Sequence, residues 1–284
     1  MLNIGFIGAG TTGTALASRL DQQGFTINAV NSRTPASAER LANRVEKCKV
    51  YATAQDVADN AQLVFITTPD DVISDIASKV QWHDKQYIVH CSGVHSVNIM
   101  ESARRYGAQT GCFHPLQTFA DIEQAFNNLP GSTFALEATE PLLTILKEMA
   151  ISLTGDWVIL KPGDKALYHT AAVFACNYLV TLVKLATDLW NDFGIPQEQA
   201  IKALLPLLRG TLQNIQNIGL PNCLTGPIAR GDLGTISKHL STLATENQNV
   251  LQSYKLLGLN TIPIALAKGK IDETRAKELE TLLK

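Results

Sequence analysis

The stretch Ile4-Gly5-Phe6-Ile7-Gly8-Ala9-Gly10-Thr11-Thr12-Gly13 decides the fold. Ile4, Phe6 and Ile7 form a short apolar run that reads as a buried strand, and Ala15, Leu16, Ala17 and Leu20 take up helical spacing behind it. Between them, Gly8, Gly10 and Gly13 are spaced as a dinucleotide pyrophosphate requires. Gly8 allows the tight turn, Gly10 lets backbone approach the phosphates, and Gly13 lets the helix pack close to the strand. The phosphates then lie on the helix N-terminus around Thr11 and Thr12, where free N–H groups and the helix dipole favour negative charge. The glycine pattern is weak evidence alone. Here it has a strand before it, a helix after it and a second strand at the expected distance. The competing readings are a strand-turn-helix with a purely structural role and a site for another nucleotide ligand.

That second strand, at 26–31, runs into Asn31-Ser32-Arg33-Thr34. A site for NAD carries Asp or Glu here, to accept hydrogen bonds from the ribose hydroxyls. Arg33 suits a 2′-phosphate instead, because its planar fork binds phosphate oxygens in pairs, and Ser32 adds a hydroxyl. The cofactor expected is therefore NADP(H). The bland alternative is a solvated arginine at a loop start.

Outward from the glycine turn, apolar strands alternate with helical stretches. Strands are expected at 3–7, 26–31, 49–52, 62–67, 86–91 and 110–113, with helices near 11–23, 35–46, 54–59, 70–80 and 95–106. Such alternation implies a doubly wound parallel sheet with helices on both faces, an α/β Rossmann architecture. Strands at 132–136 and 156–160 bracket a helix near 139–153 and extend the sheet. Pro162-Gly163 breaks the pattern. Beyond it the chain reads as helices near 164–193, 197–217, 232–257 and 273–283, which divides it into a nucleotide-binding domain, 1–161, and an all-helical domain, 162–284.

Composition excludes several classes. A net charge of −2 without basic blocks gives no sign of nucleic acid or an anionic membrane as partner. The most apolar segment, 171–186, is interrupted by Asn177, Thr181 and Lys184, so it is expected to be a buried helix and not a membrane span. Five cysteines without a Cys-x-x-Cys pair, and a chain that enters its first strand directly after Met1, are consistent with a reduced cytoplasmic enzyme. The six histidines lack metal-ligand spacing, so no metal is expected.

Ligands of doubly wound sheets bind outside the carboxyl ends of the strands, where Thr67-Thr68-Pro69, Cys91-Ser92-Gly93 and His114-Pro115 fall. Thr67, Thr68 and Pro69 are expected to line the cofactor, although Thr68 also suits the N-cap of the next helix. Ser92 can touch the nicotinamide amide or the substrate. His114 is either a cleft residue or a packed histidine. On the helix beginning at 164, Lys165 and His169 lie about 40° apart and share a face, with Asn177 on its shoulder. Lys and His can give a proton to oxygen or nitrogen as hydride arrives at carbon. His169 is the favoured donor and Lys165 its partner or rival; a solvated lysine and a core histidine are the plain alternatives. In Leu224-Thr-Gly-Pro-Ile-Ala-Arg-Gly-Asp232, Thr225 and Gly226 are candidates for a substrate carboxylate, and Arg230 with Asp232 for an ion pair.

The glycine loop, Phe113-His-Pro-Leu, Tyr168-His-Thr-Ala-Ala-Val, Asn177 and the 224–232 segment together resemble the Rossmann-like oxidoreductases whose C-terminal half is a domain of unknown function. The likeness spans essentially the whole chain. More distantly, the chain is similar to the 6-phosphogluconate dehydrogenase-like superfamily, which includes ketopantoate reductase and pyrroline-5-carboxylate reductase. The resemblance implies NADPH-dependent reduction of a small carboxylate-bearing ketone or imine, and a homodimer through the helical half; Asn177 stays in the candidate catalytic set by its place beside His169 and Lys165. The resemblance departs at one place. Where the ketopantoate and hydroxyacid enzymes have Asn four residues after Lys, Lys165 is followed by His169. A 2-keto acid, ketopantoate first, is the expected substrate. A cyclic imine is the second, and an NADP(H)-binding sensor without turnover is the reading from another class.

Overall fold

The computed structural model describes residues 2–284, and the chain forms two compact units, Met1–Asn177 and Tyr178–Lys284. The first unit carries β1 (Asn3–Ile7), α1 (Thr11–Gln22), β2 (Thr26–Asn31), α2 (Pro35–Ala42), β3 (Lys49–Val50), α3 (Ala54–Asn60), β4 (Leu63–Ile66) and α4 (Asp70–Lys79). It continues with β5 (Tyr87–His90), α5 (Glu101–Arg104), β6 (Gln109–Pro115), α6 (Ile122–Asn128), β7 (Thr133–Glu137), α7 (Leu142–Ser152), β8 (Asp156–Ile159) and α8 (Asp164–Ala175).

One eight-stranded sheet has the order β3-β2-β1-β4-β5-β6-β7-β8. Strand order reverses between β1 and β4, so the glycine turn after β1 opens at the switch point, where such sheets hold ligands. All four residues of β4 are buried, as a strand covered on both faces requires. Phe6, Phe65, Phe113 and Phe134 form a series across β1, β4, β6 and β7, with centroids 5.1, 6.0 and 4.4 Å apart; the outer pairs stack and Phe65 meets Phe113 edge-on. Each such contact adds about 0.5–1.5 kcal/mol beyond area burial.

Two features depart from the expected parallel alternation. β7 runs antiparallel to β6, and β8 then pairs parallel to β7. Helix α6, unread in the sequence, covers part of the stretch between β6 and β7. Asp121 caps it by accepting from Gln124 N at 2.8 Å, and α1 fastens it through Arg19, whose Nε donates to Phe126 O at 2.6 Å.

The sheet unit also extends past the expected boundary at 161/162. Strands end there, but α8 packs with the sheet because Lys165 is only 2% exposed and donates to the Ser92 carbonyl.

The second unit continues α9 (Asn177–Asp192) and holds α10 (Gln197–Ile218), α11 (Pro227–Arg230), α12 (Leu233–Glu246), α13 (Gln248–Ala267) and α14 (Glu273–Leu283). Its core is Ile236, Ile262, Ala276, Leu279 and Leu283. Two helices expected to be continuous are each broken. The first breaks at Cys176 (φ −115°, ψ −67°), the second at Asn247, which accepts from Val250 N and caps α13. The segment 171–186, expected to be a buried helix, contains no buried residue. Its apolar side chains find too little of this chain to cover them. By length and composition alone the 29 residues Asp164–Asp192 match a membrane span. The Lys165 anchor and the Lys184–Asp188 ion pair are unlike one.

Candidate active site

The three glycines each have a distinct physical reason. Gly8 has φ +106° and donates its N–H to Asn31 O at 2.8 Å; a Cβ there would stand 2.7 Å from the Thr67 carbonyl carbon. At Gly13 a Cβ would collide with Thr67 Oγ1 and come within 2.9 Å of Gly8 O. At Gly10 it would meet nothing within 4 Å. Gly8 and Gly13 are therefore demanded by the protein's own packing, whereas Gly10 is exposed and faces open space. Helix α1 begins at this opening with no side-chain cap, leaving the N–H groups of its first turn for an anion.

Thr67 Oγ1 donates to Gly8 O at 2.8 Å and so holds the turn. Thr68 is not the cap of α4. Pro69 occupies the N-cap position, and Thr68 Oγ1 is buried with no partner. A buried hydroxyl without a hydrogen bond costs about 1–3 kcal/mol, which a ligand atom can recover. At the end of β2, Asn31 Nδ2 is committed to Tyr51 O at 3.0 Å. Ser32 is half-buried. Arg33 is exposed and makes no ion pair among the described residues. An open N-terminus, an unpartnered hydroxyl and a free guanidinium fit a phosphorylated dinucleotide.

From this turn a chain of contacts runs along the carboxyl ends of the strands. Asp70, in the first turn of α4, accepts from Ser92 Oγ at 2.7 Å, and Ser92 Oγ accepts in turn from His95 N at 3.1 Å. The Ser92 hydroxyl is thus an anchor of its own loop. Its carbonyl receives Lys165 Nζ at 2.6 Å, and the same Nζ lies 2.9 Å from Cys112 Sγ. The solvated-lysine reading fails: this ammonium is buried with backbone and thiol partners.

The histidines gather around Gly93. A Cβ on Gly93 would fall 2.6 Å from His169 Nδ1 and 2.8 Å from His114 Nε2, so only glycine leaves room for both rings. His169 Nδ1 is buried without a partner. His114 Nδ1 meets Tyr168 Oη at 2.8 Å. Burial, then the Lys165 ammonium, then His169, press the His114 pKa down to about 3. His90, beneath the same loop, is likewise lowered to about 3 by burial and then Lys165, and its Nδ1 accepts from Ser92 N at 3.1 Å. Burial raises Tyr168 and also Cys112, the latter to about 11 despite Lys165. Both imidazoles are therefore neutral near pH 7, as is the phenol.

Ser92, His114, Lys165 and His169 come together as the sequence suggested. Asn177 is exposed and stands outside the cluster. Thr225 and Gly226 belong to the second unit, where they line a cavity of about 500 Å³ with Arg230, Lys268 and Lys270. The Arg230–Asp232 ion pair is internal, at 4.0 Å. Sequence reasoning missed Asp70, Cys112 and Tyr168 as site residues. Tyr168 stands three residues after Lys165, a spacing that keeps both near one helix face and was the available signal.

Residues 1–115 match the family described as a Rossmann-like domain, and residues 132–261 match the domain of unknown function DUF2520. The chain thus combines a segment that matches a Rossmann-like domain with one that matches DUF2520. No curated protein matches it. A Bacteroides fragilis structure, provisionally described as an NADP oxidoreductase, is 27% identical with TM-score 0.75, over 92% of this chain and 98% of that one. A Thermotoga maritima protein is 25% identical with TM-score 0.76, over 94% and 99%. 1-Pyrroline-5-carboxylate reductase from Streptococcus pyogenes is 14% identical with TM-score 0.62, over 99% and 98%, and so shares the fold. The DUF2520 match begins at β7, so it takes in α8 with its Lys165, Tyr168 and His169.

Proposed function

We propose that this protein is an NADP(H)-dependent oxidoreductase that reduces a small carboxylate-bearing 2-keto acid, with 2-dehydropantoate (ketopantoate) the first compound to test. One observation carries the reading. The open glycine turn and the Lys165–His114–Tyr168–His169 cluster belong to the same carboxyl end of one sheet, linked through Thr67, Asp70 and Ser92. The NADP description of the Bacteroides fragilis neighbour supports it.

NADPH, when bound, supplies the hydride. Gly8, Gly10, Thr11, Thr12 and Gly13 would hold its pyrophosphate, Ser32 and Arg33 its 2′-phosphate, and Thr68 lies beside the turn with a hydroxyl to give. The chain's own residues do the rest. Lys165 fixes the Ser92 loop and places a positive charge under the cluster, favouring negative charge that develops on a substrate oxygen. The imidazoles and the phenol offer the proton that a ketone needs.

The second reading is a cyclic-imine reductase, favoured by the fold shared with 1-pyrroline-5-carboxylate reductase. An imine can arrive protonated and needs no donor, so the donor-rich cluster favours the ketone. A nucleotide sensor needs no cluster at all. Screening keto acids and cyclic imines for NADPH consumption by the purified protein tests all three. Turnover of a keto acid is expected, and NADPH binding without any turnover would overturn the enzyme reading.

A homodimer through the helical unit belongs to the same proposal. Helix α10 has Ala200 as its only buried residue and leaves Leu207, Leu212 and Ile218 more than half exposed. Light scattering should give twice the 30.8 kDa chain mass.

A further inference from the structure

The reductase reading leaves the proton source open between Lys165, His169 and other groups of the cluster. We propose that His114 is the catalytic acid of this site and that Tyr168 is its relay residue, the phenol refilling Nδ1 as Nε2 gives its proton to the substrate oxygen. The inference rests on that reading and deepens it.

Three observations select the pair. First, His114 has the only ring nitrogen of the two site histidines with a proton-bearing side chain bonded behind it, Tyr168 Oη at 2.8 Å from Nδ1. His169 has no such bond: its Nδ1 is buried with no partner among the described residues. Second, Lys165 is committed. Its Nζ spends hydrogen bonds on Ser92 O and Cys112 Sγ and is 2% exposed, which places its charge well and its protons poorly. Third, His114 Nε2 makes no hydrogen bond among the described residues and faces the bare α-carbon of Gly93, at the carboxyl end of β5.

Tyr168 as donor to Nδ1 sets the tautomer, leaving the hydrogen on Nε2. The groups that face His114 agree with a neutral ring: Lys165, Tyr168 and His169 from α8, His90 at the end of β5, and Cys112 two residues back on β6. An imidazole that stays neutral cannot give up a proton alone without becoming an anion. The relay removes that obstacle. As the carbonyl oxygen gains charge on reduction, an O–H bond forms and the His114 Nε2–H bond breaks; Nδ1–H forms and the Tyr168 O–H breaks. The ring ends neutral in its other tautomer, and the negative charge ends on the phenolate. Lys165 Nζ stands 5.9 Å from the centre of the Tyr168 ring. Tyr168 is half-buried, so water restores its proton after product leaves.

The test uses the full-length protein in two measurements. In the first, ¹⁵N-imidazole NMR of the free protein should show His114 neutral from pH 5 to 8 as the Nε2–H tautomer, and Tyr168→Phe should lose that preference. A protonated His114 at pH 6, or the Nδ1–H tautomer in the wild type, overturns the relay without reference to any substrate. In the second, with a keto acid that the wild type reduces, Tyr168→Phe should lower kcat on the order of 10²-fold. NADPH affinity should be unchanged, and the solvent deuterium isotope effect on kcat should change. Wild-type turnover in Tyr168→Phe, or a larger kcat loss in His169→Asn, overturns the relay while the reductase reading stands. NADPH consumption with no compound of the panel overturns the reductase reading, and the catalytic role of His114 with it.

Discussion

Lys165 Nζ donates to the backbone oxygen of Ser92 at 2.6 Å, joining the first turn of α8 to the loop after β5 across 73 residues of sequence. A lysine that sequence periodicity leaves as either solvated or catalytic is in fact an internal strut. Its positive charge adds to burial, the larger cause, in keeping His90 and His114 neutral.

Replacing Lys165 with Met tests this directly. Losing the charge should raise the titration midpoints of both His90 and His114 above their value of about 3, measured by NMR. Stability should change little, within about 2 kcal/mol, because relief from burying an ammonium offsets the lost hydrogen bonds. With Nζ buried, kcat should fall more than KM rises. Unmoved histidine midpoints would detach Lys165 from the cluster's electrostatics.

The glycines separate folding from binding. Gly10→Ala should leave thermal stability within about 1 kcal/mol of wild type, because the added methyl meets no protein atom within 4 Å. It should still weaken NADPH at least tenfold, since the methyl enters the space of the phosphates. Gly8→Ala should destabilise outright, as φ +106° strains an L-residue and Thr67 backbone lies 2.7 Å away. Differential scanning fluorimetry with and without NADPH reads both. Equal NADPH binding by Gly10→Ala would remove the turn from the cofactor site.

Arg33 should set cofactor choice. Charge-assisted hydrogen bonds contribute roughly 1.5–3 kcal/mol, so NADPH should bind on the order of tenfold or more tightly than NADH. Arg33→Asp should reverse the order by repelling the 2′-phosphate and accepting from the ribose hydroxyls. Fluorescence titration with both cofactors checks it, and equal wild-type affinities would sink the assignment.

Acid should destabilise the fold through the buried histidines. His90 and His114 titrate at about 3 in the folded protein against about 6.5 when unfolded. Below pH 6.5 the unfolded chain binds more protons than the native one, so stability is full above that pH and is lost as pH falls toward 3. The loss by pH 5 is on the order of 1–2 kcal/mol for each histidine. Urea unfolding at pH 7 and pH 5 should show it, and His90→Asn should make the dependence shallower. Parallel curves for wild type and variant would refute the burial of a neutral His90.

Much of the sheet was legible because its signals are local. Ile4–Ile7, Leu63–Ile66 and Tyr87–His90 are apolar runs of strand length, and the glycine turn announces its own geometry. Helix α6 escaped because it is a single capped segment of seven residues; its signal, Asp121 followed by Gln124, is two residues in a polar stretch. The apolar 171–186 segment misled for the opposite reason. Hydrophobicity states that a surface must be covered, and not by which chain.

The sequence by itself determined the nucleotide-binding half, because the phosphate turn, the strand periodicity and the Ser32-Arg33 ending are set by backbone conformation and neighbours close in the chain. Only the tertiary structure decided the chemistry of the cluster. Lys165, Ser92, Cys112, His114 and Tyr168 come from three elements up to 76 residues apart between Ser92 and Tyr168, and their hydrogen bonds exist only once β5, β6 and α8 are packed. Periodicity gives a side chain's direction around its own helix. Which atom waits at the end of that direction, and whether it is a carbonyl, a thiol or a ring nitrogen, is set by packing of the remote chain.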